Sequence, residues 1–186
     1  PEIPKENYII EPSGKNTAPA IGLAAQHIIK RDPAAIMGIY PADHLIIGEN
    51  KFRNTIDNAQ EMASKKSMLI TIGIIPTYPA TGYGYIQYNP KKETNIKTIY
   101  KVEKFVEKPN KQTANKFFKS GKFLWNGGMF IWKAKTILNE IKIYMPNLYK
   151  SLDTIYNSID TDQYETILKK EWEALQPESI DYGILE

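Results

Sequence analysis

The chain has 186 residues, a net charge of +3 and no cysteine, which excludes a disulfide framework and a thiolate zinc site and fits a reducing cytosol. That length suits one domain, here residues 1–186, burying roughly 70% of its unfolded surface. Its Lys residues are scattered, only Arg31 and Arg53 are Arg, and no apolar run is long enough for a transmembrane helix, so neither nucleic acid nor membrane is expected as a partner.

In chain order, residues 7–11 read as a short strand, with Tyr8-Ile9-Ile10 between polar neighbours. The turn-rich Pro12-Ser13-Gly14-Lys15 leads into a helix capped at Asn16 or Thr17, with Pro19 in its first turn and Ile21, Ala24, Ala25, Ile28 and Ile29 at helical spacing. Asp32-Pro33 ends it. Residues 35–40 are continuously apolar, the pattern of a buried central parallel strand. A second helix follows over 51–66, with Phe52, Ile56, Ala59 and Ala63 on one face, then a buried strand over 68–75. Strand, helix, strand, helix, strand in succession predicts an α/β fold with a mostly parallel central sheet. Further strands are expected over 83–88, 98–106 and 123–132, and helices over 112–120, 134–145, 147–158 and 162–175.

Several segments could carry chemistry. Pro41-Ala42-Asp43-His44 follows a strand end, where ligands bind in open α/β sheets. Asp43 there either holds a hard divalent ion or closes a simple turn. Asp181, in Ser179-Ile180-Asp181-Tyr182-Gly183, is either a second metal carboxylate or a cap. The glycines of Thr81-Gly82-Tyr83-Gly84-Tyr85 permit either a close backbone approach or a positive-φ loop. In Glu107-Lys108-Pro109, either the carboxylate serves sugar hydroxyls and the ammonium phosphate, or the two are an exposed charge pair before a helix-starting loop. Asn126-Gly127 between apolar runs is the strongest hairpin signal in the chain, although the same glycines could admit a sugar beside Asn126. His27 and His44 share no repeat spacing, which argues against a metal site or a triad; His27 is expected on the exposed or boundary side of its helix and His44 as a structural neighbour of the Asp43 loop.

Taken in order, these segments resemble one family. Residues 11–21, Glu-Pro-Ser-Gly-Lys-Asn-Thr-Ala-Pro-Ala-Ile, look like its E-P-x-x-R/K-N-T-A-P-A loop, and Pro41-Ala42-Asp43-His44 looks like its P-A-D-H. Gly73-Ile74-Ile75-Pro76-Thr77 with Thr81-Gly82-Tyr83-Gly84-Tyr85-Ile86, then Phe105-Val106-Glu107-Lys108-Pro109, Trp125-Asn126-Gly127-Gly128-Met129-Phe130 and Ser179-Ile180-Asp181-Tyr182-Gly183, complete the set. The family is the mannose-1-phosphate guanylyltransferases, among the sugar-phosphate nucleotidyltransferases.

The resemblance implies a three-layer, Rossmann-like GT-A fold and transfer of GMP from GTP to mannose 1-phosphate, giving GDP-mannose and pyrophosphate. It makes Asp43 and Asp181 ligands of Mg²⁺ and sets Lys108 against the phosphate of the sugar phosphate. Glu107, Asn126 and the backbone at Gly84 would face the sugar. Glu11, Asn16, Thr17, Pro41 and Ala42 would belong to the nucleotide pocket. Lys15 stands where Arg or Lys is usual, so a planar guanidinium contact is not assured. The resemblance implies a cytoplasmic enzyme and leaves a homodimer open.

One departure stands out. Family members open with a strand and a G-G-x-G-x-R-L-x-P-L loop that holds the triphosphate, and no such run occurs here. The chain therefore reads as a fragment lacking that phosphate-binding segment, and by itself it is expected to be a poor or inactive enzyme. Two other readings compete: a nucleotidyltransferase for another base or sugar, and a non-catalytic regulatory relative that binds a nucleotide sugar. Retention of both Asp43 and Asp181 argues against the second.

Overall fold

The computed structural model describes residues 3–93 and 99–186. The chain forms two compact units, one from Pro1–Ala35 and Ala134–Ile184, the other from Ile36–Lys133 with Leu185–Glu186.

The first unit is helical. Helix α1 (Thr17–Arg31) starts where the Asn16 side chain accepts the Thr17 N–H at 2.8 Å. Asn16 has φ 71 and ψ −172, a backbone conformation populated almost only by Gly and therefore strained. Lys30 and Arg31 in the last turn face the negative end of the helix dipole. Helix α4 (Ala134–Tyr144) and α5 (Pro146–Ser158) pack on α1, and α6 (Tyr164–Ala174) packs on α5. The two helices that come between α1 and α4 along the chain belong to the other unit. Leu23, Ile137, Ile141, Leu152, Ile155 and Trp172 are fully buried, and each such Leu or Ile contributes roughly 1.5–3 kcal/mol. Gly22 of α1 lets α5 close in, because a Cβ there would overlap with Leu152.

The expected strand over 7–11 is not formed. Lys5–Asn7 is a single 3₁₀ turn, residues 8–11 have no regular structure, and Ile10 is 77% exposed. A strand needs a neighbour's N–H and C=O groups, and none among the described residues pairs with this segment.

Among the described residues the second unit is a five-stranded sheet with two helices. Strand β1 (Ile36–Ile39), α2 (Glu49–Lys65) and β2 (Ile70–Ile74) form the anticipated strand–helix–strand run. Strands β3 (Tyr85–Glu93) and β4 (Tyr100–Val106) pair with each other, α3 (Lys111–Ser120) follows, and β5 (Phe123–Lys133) closes the unit. The expected start of β4 at Thr98 lies outside the described residues. Ala59 and Ala63 of α2 pack with Ile131, flanked by Ile36, Ile56, Ile70 and Ile72. Ala114 of α3 packs with Tyr85 and Trp125.

Here the expectation of a mostly parallel sheet is corrected. Every strand pair among the described residues is antiparallel. Strands β1 and β2 run in the same direction, but β5 lies between them and pairs with both in the opposite sense. The strand–helix–strand pattern sets the direction of β1 and β2; it does not say which strand fills the gap between them. For the same reason β1 is not central among the described residues: there it pairs with β5 alone, and Gly38 and Tyr40 are exposed.

Candidate functional site

In the second unit the structure brings Gly84, Glu107 and Asn126 together. The Asn126 N–H donates to the Gly84 carbonyl at 2.8 Å, which ties β5 to the start of β3. Val106 pairs with Tyr85, so Glu107 comes level with Gly84 on the other side. A Cβ on Gly84 would overlap with Oε2 of Glu107 and sit 3.3 Å from Cβ of Asn126. Gly84 is buried and has no positive φ, so its missing side chain serves close approach and not an unusual turn.

The Glu107 side chain is only 9% exposed, and its Oε1 pairs with Nζ of Lys108 at 3.0 Å, whose side chain is 58% exposed. Lys108 has φ 40, an uncommon conformation for a residue with a side chain. The fold therefore holds a shielded carboxylate and a solvent-facing ammonium side by side, with backbone strain of the kind that gathers at functional sites.

The Asn126-Gly127 hairpin does not form. Strand β5 runs through both residues. Gly127 is packed so closely that a Cβ would lie 2.9 Å from the Ile72 carbonyl oxygen, and Gly128 takes the positive φ of 62. The register against β2 shifts in this stretch, between Thr71 and Gly73. The glycines thus make a bulge that fixes Asn126. Its Oδ1 accepts from the Thr71 hydroxyl at 3.0 Å and from the Gly128 N–H at 3.2 Å. Nothing in the sequence marks Thr71 as a partner of Asn126; only the β2–β5 pairing brings them together.

Pro41 is half-buried, and its ring lies 3.5 Å from where a Gly128 Cβ would stand. Ala42 and Asp43 follow in an exposed turn, with His44 exposed beside them. Asp43 follows the end of β1, as the sequence reading expected, and is exposed.

The remaining candidates lie in the first unit. Residues 13–18 are laced to residues 172–180. Trp172 donates its indole N–H to the Ser13 carbonyl at 2.7 Å, and the Lys15 ammonium donates to the Leu175 carbonyl at 2.7 Å. Ala18 N–H donates to Glu178 O at 3.0 Å, and Ile180 N–H donates to the Thr17 hydroxyl at 2.9 Å. Lys15 thus ties down backbone carbonyls, and Thr17 holds the residue just before Asp181. Asp181 is half-buried and opens a π-helical turn, Asp181–Leu185.

An open cavity of about 880 Å³ lies in this unit, lined by residues 8–12, His27 and one side of α6 from Tyr164 to Glu173. Oε2 of Glu11 is buried with no hydrogen-bond partner among the described residues. His27 is half-buried, and its Nε2 lies 2.7 Å from the Tyr164 hydroxyl. Burial pushes the His27 pKa below its ordinary value, Arg31 adds to the effect, and Asp160 opposes it. The half-buried placement agrees with the boundary position expected for His27.

Among the described residues no cluster of three or more His, Asp or Glu side chains forms. Asp43 lies in the second unit and Asp181 in the first, and each is a hard carboxylate of the kind magnesium takes. No helix among the described residues is long and apolar enough to cross a membrane.

Residues 2–175 match the nucleotidyl transferase family, and the chain belongs to it. Among curated relatives it is 43% identical over 126 residues to mannose-1-phosphate guanylyltransferase 2 of Escherichia coli O157:H7, an alignment covering 64% of this chain and 26% of the relative. It is 44% identical over 124 residues to mannose-1-phosphate guanylyltransferase RfbM of Salmonella typhimurium, covering 64% and 25%. The chain thus spans about a quarter of the length of these relatives. The α/β fold is shared with a solved Thermus thermophilus protein described as a mannose-1-phosphate geranyltransferase, with TM-score 0.84, 29% identity, and coverage of 96% of this chain and 49% of that one. It is shared also with a mannose-6-phosphate isomerase from Helicobacter pylori, with TM-score 0.77, 30% identity, and coverage of 95% and 66%. What the comparisons show of this chain is membership of the nucleotidyl transferase family; the curated relatives described above are named mannose-1-phosphate guanylyltransferases.

Proposed function

We propose that the protein to which this chain belongs transfers GMP from GTP to mannose 1-phosphate, releasing GDP-mannose and pyrophosphate. The observation that carries the reading is the convergence of Gly84, Glu107, Lys108 and Asn126 in one unit. A carboxylate and an amide held by backbone and side-chain hydrogen bonds suit the hydroxyls of a sugar. The adjacent ammonium suits its phosphate.

In this reading the sugar phosphate oxygen attacks the α-phosphorus of GTP in line, a P–O bond forms, and the bond to pyrophosphate breaks. The attacking oxygen is already anionic, so no general base is needed; orientation and charge stabilisation do the work. Lys108 orients the attacking phosphate, and Glu107 and Asn126 fix the ring to which it is attached. Asn16, Thr17, Pro41 and Ala42 are assigned to the nucleotide on the resemblance of their motifs. On the same ground Asp43 and Asp181 would hold Mg²⁺, which supplies positive charge to the phosphates. A soluble cytoplasmic setting belongs to the same reading.

The test is pyrophosphate release by the full-length protein with GTP, ATP, UTP and dTTP against mannose 1-phosphate and glucose 1-phosphate. GTP with mannose 1-phosphate is expected to give the highest kcat/KM. Faster turnover with UTP or ATP would replace the guanylyl assignment, and no turnover with any pair would favour a binding protein.

A further inference from the structure

Glu107 and Lys108, neighbours along the chain, hold each other in the candidate sugar site of the second unit, with Oε1 of the carboxylate 3.0 Å from Nζ of the ammonium. Adjacent side chains in a strand point to opposite faces, so a pair of this kind is not the default. Here β4 has ended at Val106, and Lys108 leaves the extended conformation with φ 40. The carboxylate has little room to move. Its side chain is 9% exposed, and Oε2 stands where a Cβ on Gly84 would overlap it. The Lys108 side chain is 58% exposed, so it can swing away without disturbing the core.

Before any substrate arrives, then, each group is engaged by the other. A hydroxyl that donates to Oε1 meets an oxygen already compensated by an ammonium. A phosphate that comes to Lys108 must draw it off a carboxylate. A phosphate monoester carries close to two negative charges at neutral pH against one on the carboxylate, so it wins that exchange. A bare sugar has nothing with which to win it.

We propose that the Glu107–Lys108 ion pair is a selectivity latch that a phosphorylated sugar opens: the phosphate takes the ammonium, and Oε1 is released to accept from a ring hydroxyl. This rests on the sugar-phosphate reading above and adds a reason for the site to refuse the unphosphorylated sugar. The two halves of the substrate are thereby coupled, since each partner of the ion pair opposes the ligand of the other.

Mannose and methyl phosphate probe the two halves separately, each measured as a competitive inhibitor against mannose 1-phosphate in the full-length protein at one pH and one magnesium concentration. Lys108→Met keeps an unbranched side chain and removes the ammonium. It is expected to raise KM for mannose 1-phosphate and yet to bind mannose about fivefold more tightly than the unmodified protein does, the scale of a partly exposed ion pair. Glu107→Gln keeps the shape and removes the charge, and it is expected to bind methyl phosphate about fivefold more tightly. Two independent contacts would behave otherwise: Lys108→Met would leave mannose binding unchanged, and Glu107→Gln would leave methyl phosphate binding unchanged or weaker. Either result overturns the latch while the sugar-phosphate reading stands. Because Lys108 is largely exposed, its variant decides alone if Glu107→Gln does not fold. No turnover of any sugar phosphate by the unmodified protein would remove that reading, and the latch with it.

Discussion

The Glu107 carboxylate stands where any side chain on Gly84 would have to go. The same position lies 3.2 Å from the Phe105 ring and 3.3 Å from Cβ of Asn126, and Phe105 is buried. Gly84→Ala must therefore displace Glu107, whose end is the one movable neighbour. The expected outcome is a rise of about tenfold or more in KM for the sugar phosphate, with a stability loss of only about 1 kcal/mol. Steady-state kinetics beside a denaturation curve would check both; an unaltered KM would mean that Glu107 does not touch the sugar.

The two aspartates make a separate prediction. Asp43→Ala and Asp181→Ala, each in the full-length protein, are expected to lower kcat by at least about a hundredfold, the scale seen when a transition-state charge partner is lost. Raising the magnesium concentration should recover part of the activity if the carboxylates hold the ion. Asp43 is exposed and Asp181 half-buried, so Asp43→Ala should leave the melting temperature unchanged. Normal turnover by Asp43→Ala would remove that residue from the metal site.

His27 makes the stability of the helical unit depend on pH. Its pKa in the fold is lowered from 6.5, chiefly by burial. The unfolded chain therefore takes up the proton first as the pH drops. The stabilisation is fully present above about pH 6.5 and is lost as the pH falls through the lower, folded value. His27→Gln removes the titration. The melting-temperature gap between the unmodified protein and His27→Gln should narrow steadily from pH 7.5 to pH 5. A gap that stays constant over that range would show that the His27–Tyr164 contact does not titrate.

Much of the first unit is legible from neighbours along the chain. Asn16 caps α1, Pro19 sits in its first turn and Asp32 ends it, because capping and restricted φ act within a few residues. The α2 face built on Ala59 and Ala63 was likewise readable from spacing. Pairing between strands was not. Residues 8–10 have strand composition and no strand partner among the described residues, and Asn126-Gly127 has hairpin composition inside a continuous strand. In both places a local preference of about 1 kcal/mol was overruled by hydrogen bonds made, or not made, with residues far away in sequence.

The candidate site divides along the same line. Its residue types and their order along the chain are properties of the sequence, and they were enough to indicate sugar, phosphate and nucleotide. That Glu107 faces Gly84, that Thr71 holds Asn126, that Lys15 is spent on the carbonyl of Leu175 and that Glu11 keeps a buried oxygen without a donor were decided only by tertiary structure. Each depends on the register of strands or the packing of helices between segments widely separated in sequence, and such contacts leave no local pattern for the sequence to display.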